Sequence, residues 1–130
     1  MRHIPAPMIV VPAYNEEAHI ASVVRRSKPF GAVVLVVDDG SADRTVSLAR
    51  QAGADVIVHE TNQGNGGALA TGFAEAEHRG VAWVVTLDGD GQHDPAEIPR
   101  FLAAAAVTGA DIVIGSRTGD LSTMPRVRRR

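Results

Sequence analysis

Two aspartates one residue apart, Asp88 and Asp90, stand in the run Asp88-Gly89-Asp90-Gly91-Gln92-His93-Asp94. Carboxylates at this spacing can share a hard cation, and Gln92 offers a further oxygen. Such a set suits Mg²⁺ or Mn²⁺, which keep positions open for phosphate oxygens. His93 would suit Mn²⁺, the softer of the two. Asp and Gly also favour turns, so a plain turn competes with the metal reading. A second acidic pair, in Asp38-Asp39-Gly40-Ser41, reads as a turn with a helix cap or as a hydrogen-bonding site for a base or ribose. Tyr14, the only tyrosine, can face a nucleobase or sit partly buried in a loop. Gly64, Gly66, Gly67 and Gly72 look like a phosphate loop. They miss G-x-G-x-x-G because Leu69 stands where the third glycine belongs, and no G-K-[ST] follows. Close backbone approach at a helix start accounts for them better. His3, His19, His59 and His78 read as ordinary surface or loop residues.

The elements that must hold these residues follow from the apolar pattern. Continuous β-branched runs at Met8–Val11, Val33–Val37, Asp55–Val58, Val81–Leu87 and Asp111–Ile114 predict strands buried on both faces. Helical periods fall between them. Asn15 is the expected cap of the first helix, with Ile20, Val23 and Val24 on one face; Ser41 is the expected cap of the second, with Val46, Leu48 and Ala49 inward. Gly66 or Gly67 opens a third through Leu69, Phe73 and Ala76. Asp94-Pro95-Ala96-Glu97 starts a fourth, with a cap residue followed by proline at the first helical position. Five strands alternating with four helices predict an α/β three-layer sandwich around a mostly parallel, Rossmann-like sheet. Ligands bind such sheets beyond the carboxyl ends of the strands. Asp38, Asp39, Asp88 and Asp90 would all reach that rim, where like charges need a cation or hydrogen-bond donors to offset them.

At 130 residues, 45% hydrophobic and 22% charged, the chain is one domain with enough apolar residues for a core. The absence of cysteine excludes disulfide scaffolds, thiolate metal sites and cysteine nucleophiles. No apolar run approaches the ~20 residues that span a bilayer, and a soluble, cytoplasmic domain is expected. Four of the 13 basic residues, Arg126, Arg128, Arg129 and Arg130, crowd into the last five positions. Residues 1–125 then carry 9 basic against 15 acidic groups. That acidic body argues against a nucleic-acid partner. Residues 1–117 form the expected domain, and 118–130 an irregular basic tail.

Five ordered segments together resemble the family 2 inverting glycosyltransferases of GT-A fold, nearest the polyprenyl (dolichyl) phosphate mannose and glucose synthase branch. They are Ile9–Glu16, Val36–Thr45, Asn62–Leu69, Leu87–Pro95 and Ile114–Arg117, spanning residues 8 to 117. The resemblance implies that Pro12, Tyr14, Glu16 and Asp39 line a nucleotide pocket with Asp88 nearby. It implies that Asp90 and Gln92, with Asp88, hold Mg²⁺ or Mn²⁺ on a diphosphate, and that Arg117 reaches a donor or acceptor phosphate. Asp90 and Arg117 are the expected catalytic residues. Asn65 departs from the family, which usually carries a basic residue there. The chain also stops where the family continues into its acceptor-binding half, so a truncated copy or the donor portion of a longer protein is expected.

The implied activity is metal-dependent transfer from a nucleotide-sugar of the GDP-mannose or UDP-glucose type to a polyprenyl phosphate. It would take place at the cytoplasmic face of a membrane, touched only through the further region or the basic tail. A nucleotide-sugar-binding module without turnover is the alternative. A phosphoacceptor receiver domain needs a lysine after a late strand, whereas the only lysine, Lys28, falls after the first helix.

Overall fold

The structure, a computed structural model, describes residues 6–31, 33–91, 94–100 and 102–103, and the backbone of 112–114 and 126–129. Strand β1 (Met8–Ala13) is followed by α1 (Ile20–Ser27), β2 (Val33–Asp38), α2 (Thr45–Ala52), β3 (Asp55–Val58), α3 (Gly64–His78) and β4 (Trp83–Thr86). Strands β5 (Ile112–Ile114) and β6 (Arg126–Arg129) complete a sheet of order β3-β2-β1-β4-β6-β5. The first four strands run parallel, and β6 is antiparallel to both of its neighbours. The α/β sandwich with a mostly parallel sheet is the predicted one.

Alternate side chains of the central strands enter opposite layers. Ile9, Val11, Val34 and Val36 pack with Ile20, Val23 and Val24 of α1 and Ala49 of α2. Met8, Val10, Leu35 and Val37 pack with Ala68 and Ala76 of α3. Each such aliphatic side chain contributes about 1.5–3 kcal/mol by leaving water, which explains why runs without polar alternation form the middle of the sheet. Gly72 lets α3 lie close on β1, since a Cβ there would stand 2.4 Å from Val10 Cγ1.

Several sequence expectations change, one of them the start of α3, which lies at Gly64 rather than at Gly66 or Gly67. Asn15 does not cap α1, which begins at Ile20 after a turn. Asn15 instead takes φ +52° and accepts a hydrogen bond from the Ala42 N–H. Ser41 does not cap α2, which begins at Thr45, because its hydroxyl is bonded to Asp38. The expected irregularity of 118–130 is corrected at Arg126–Arg129, which pairs between β4 and β5. Backbone N–H and C=O groups make that ladder, so a charged run can occupy it without an apolar signature. The fourth helix start holds: the Asp94 carboxylate accepts from Ala96 N–H at the head of a 3₁₀ turn, Pro95–Glu97. Among the described residues, no helix is long and apolar enough to cross a membrane.

Candidate functional site

The strand order turns back between β1 and β4. The chain proceeds outward from β1 through β2 to β3, then returns to the other side of β1. The two loops leaving the carboxyl ends of β1 and β4 therefore part company and leave a crevice. An open cavity of about 300 Å³ lies there, lined by residues that include Pro12, Tyr14, Glu16, Asp39, Asp88 and Asp90. All six were expected at a site from sequence. Gln92, His93 and Arg117 lie outside the described residues.

The loop after β1 is latched to the loop after β2. Asn15 N–H donates to Ser41 Oγ at 2.8 Å, Glu16 N–H to Thr45 Oγ1 at 2.9 Å, and Glu17 N–H to Asp43. This latch holds Tyr14, about half exposed at 48%, and half-buried Glu16 at the cavity. On the other side, a Cβ on Gly89 would meet Pro12 O at 3.2 Å and Ala13 Cβ at 3.3 Å. The glycine between the two aspartates thus lets their turn close onto β1.

The four rim carboxylates separate into two kinds. Asp38 and Asp39 are buried, and hydrogen-bond donors meet their charge. Asp38 accepts from the N–H groups of Gly40 and Ser41 and from the Ser41 hydroxyl, so it is the turn-builder among the four. Asp39 accepts from Gln63 N–H at 2.8 Å, Gly64 N–H at 2.9 Å and His59 Nδ1 at 2.8 Å. The Gln63 N–H above all, then His59, hold its carboxyl below the ordinary aspartate value. Asp88 and Asp90 differ in being only half-buried, and both open onto the cavity. Their charge reaches Glu16, whose carboxyl is pushed up, first by burial, next by Asp90, and more weakly by Asp43 and Asp88, with His19 opposing.

A dication would relieve that concentration of negative charge. Among the described residues, no three His, Asp or Glu side chains converge as a metal cage. Asp88 and Asp90 would be the carboxylate share of an open site, the arrangement Mg²⁺ accepts when water and substrate phosphates complete its shell.

Sequence reading missed three residues here. Asn65 and Ala68 line the cavity from the start of α3. His59, expected as an ordinary surface or loop residue, lies in the loop after β3 but is buried, and its Nε2 lies 2.8 Å from Thr71 Oγ1. It directly follows a strand, the position that drew attention to Asp39. Its burial depends on α3 folding back, which the local sequence does not display.

A mostly parallel sheet with an acidic crevice at its turning point defines an α/β domain of the doubly wound kind, which binds ligands beyond the carboxyl ends of its strands. Residues 8–129 match the model of glycosyl transferase family 2, and the chain belongs to that family. It is 40% identical over 118 residues to the polyprenol monophosphomannose synthase of Mycolicibacterium smegmatis, covering 85% of this chain and 44% of the synthase. It is 32% identical over 127 residues to the UDP-N-acetylglucosamine–dolichyl-phosphate N-acetylglucosaminyltransferase of Methanococcus voltae, covering 84% of this chain and 51% of that protein. The chain spans about half the length of the relatives it matches.

Among solved structures, the glucosyl-3-phosphoglycerate synthase of Mycobacterium tuberculosis superposes with a TM-score of 0.78 at 23% identity, over 95% of this chain and 57% of that one. The fold is therefore that of the GT-A glycosyltransferases. The same enzyme in complex with Mg²⁺ and uridine diphosphate superposes at 0.72 with 27% identity, over 85% of this chain and 43% of that one.

Proposed function

We propose that this chain is the donor-binding half of a metal-dependent glycosyltransferase. It takes a nucleotide-diphosphate sugar of the GDP-mannose or UDP-glucose type and passes the sugar to a polyprenyl phosphate at the cytoplasmic face of a membrane. The observation that carries this is the cavity at the β1/β4 crevice, where Tyr14, Glu16 and Asp39 face the same space as Asp88 and Asp90. The names of the relatives support the acceptor class, and the Mg²⁺ complex of the structural neighbour supports the cation.

Pro12 and Tyr14 form the wall against which the nucleoside lies. Asp39, held ionised, is an acceptor only, so it selects a nucleoside group that donates. The N–H edge of uracil or guanine and the ribose hydroxyls meet that requirement. Asp88 and Asp90, with Gln92, would hold Mg²⁺ or Mn²⁺, which when bound supplies positive charge to the leaving diphosphate. Arg117 would add its guanidinium to a donor or acceptor phosphate. A phosphate acceptor, with a second pKa of about 6, is already largely ionised at neutral pH and needs little help from a general base. The chain's main task is to orient the sugar for in-line attack.

Calorimetric titration of the chain with UDP, GDP, CDP and ADP, each with Mn²⁺ and with excess chelator, tests the reading. Saturable, Mn²⁺-dependent binding of UDP or GDP is expected, with CDP and ADP weaker. No binding of any of the four overturns it.

A further inference from the structure

His59 makes a bond at each ring nitrogen, one to Asp39 in the cavity wall and one to Thr71 on α3. Its Nδ1 meets Asp39 Oδ1 at 2.8 Å, and its Nε2 meets Thr71 Oγ1 at 2.8 Å. The Asp39 carboxylate can only accept, so Nδ1 carries the proton. Oδ1 then takes two bonds, from His59 and from Gln63 N–H, which fills its lone pairs. Oδ2 takes one bond among the described residues, from Gly64 N–H. One acceptor position remains, on Oδ2, in a residue that lines the cavity.

The Gln63 and Gly64 N–H groups bond one carboxylate oxygen each, so these two donors alone leave open which oxygen presents the free lone pair. His59 decides it by occupying Oδ1. Thr71 in turn fixes the ring, and it sits on α3, the helix whose first residue supplies the Gly64 N–H. Helix α3 thus grips Asp39 twice, directly and through the histidine.

We infer that His59 is a positioning residue of the donor site: anchored by Thr71, it aims Asp39 so that a single carboxylate oxygen meets the nucleoside. This rests on the donor-binding reading above. A histidine that merely fills space would be replaceable by leucine without loss of ligand affinity. A positioning histidine is replaceable only by a residue that still donates to Asp39.

The test compares His59→Leu, His59→Asn and Thr71→Val in the 130-residue chain, by calorimetry with UDP and GDP in Mn²⁺ and by thermal unfolding. His59→Leu is expected to lose about tenfold or more in affinity. His59→Asn, whose amide can donate in place of Nδ1, regains most of it although both variants unfold at a similar temperature. Thr71→Val shows a smaller loss. In the unaltered chain, the His59 Nδ1 proton resonance shifts when nucleotide saturates the site, a readout that does not depend on any variant folding. Equal affinity of His59→Leu and the unaltered chain, or an Nδ1 resonance that stays in place at saturation, overturns the role of His59 alone. Failure of the unaltered chain to bind either nucleotide overturns the donor reading and this inference with it.

Discussion

At the scale of single residues, the acidic rim solves one electrostatic problem in two ways. Asp38 and Asp39 sit in donor-rich turns, whereas Asp88 and Asp90 open onto the cavity, where Asp90, and Asp88 more weakly, add to the burial that chiefly raises Glu16. Removing one charge from the second pair should weaken the proposed cation site without harming the fold. Asp90→Asn is expected to lower nucleoside diphosphate affinity in Mn²⁺ by about tenfold or more, equivalent to ~1.4 kcal/mol. It should leave the residual affinity in chelator unchanged. Titrations of both proteins with and without chelator check this, and an unchanged Mn²⁺-dependent component would contradict it. Within the first pair, Asp39 contributes to acid stability instead. Donors hold Asp39 below its ordinary value in the folded chain. As pH falls, the unfolded chain takes up this proton first, at about 3.9. The Asp39 contribution is therefore complete above about pH 5 and drains away as pH drops through the ordinary value toward the depressed folded one. Urea unfolding between about pH 5 and 2.5 should show a shallower acid loss in Asp39→Asn than in the unaltered chain. Equal slopes would mean that the carboxylate is not held as described.

At the scale of elements, the site depends on how closely α3 approaches β1. Gly72 permits that approach, and the same helix presents Gly64, Asn65 and Ala68 at the cavity end. A methyl group at position 72 must displace the Val10 side chain or lift the helix. Gly72→Ala is expected to destabilise the chain by about 1–3 kcal/mol, the usual range for overpacking. Because lifting α3 also moves Gly64 away from Asp39, nucleotide affinity should fall as well. Adding Val10→Ala makes room for the methyl group and should restore part of both. Denaturant unfolding and calorimetry on the single and double variants check this, and a fully additive double variant would disprove the contact. The loop after β1 depends on a neighbour in the same way: its N–H groups are satisfied by Ser41, Asp43 and Thr45 rather than by a helix of its own. That is why the Asn15 region looked like a helix start and became a latch.

At the scale of the whole molecule, the sheet places the cavity-lining loops at the β1/β4 crevice, and the chain covers about half of its relatives. Transfer needs both reactants held at near-attack distance, positioning that can be worth ~7–11 kcal/mol of barrier. The 130-residue chain on its own is therefore expected to bind donor while transferring little or no sugar to polyprenyl phosphate. A version extended to the length of the relatives should transfer. Radiolabelled nucleotide-sugars incubated with both proteins measure this, and comparable transfer by both would show that residues 1–130 already contain an acceptor site.

The first five strands, the α/β layering and, with the help of the family resemblance, six of the cavity residues from Pro12 to Asp90 were legible in the sequence alone. Burial on both faces demands unbroken β-branched runs, and parallel strands all end at one rim, so chemistry after each strand can be read directly. The family resemblance carried by the five segments likewise needed no coordinates. Tertiary structure alone decided the rest. It separated the turn-building Asp38 from Asp39 and turned Asn15 and Ser41 from helix caps into partners across two loops. It also drew a charged run, Arg126–Arg129, into the sheet and buried His59 between Asp39 and Thr71. Apart from the Asp38 turn, which is local, these outcomes depend on backbone or side-chain groups brought together from distant parts of the chain. Hydrogen bonds of that kind leave no period in the local sequence, whereas burial does.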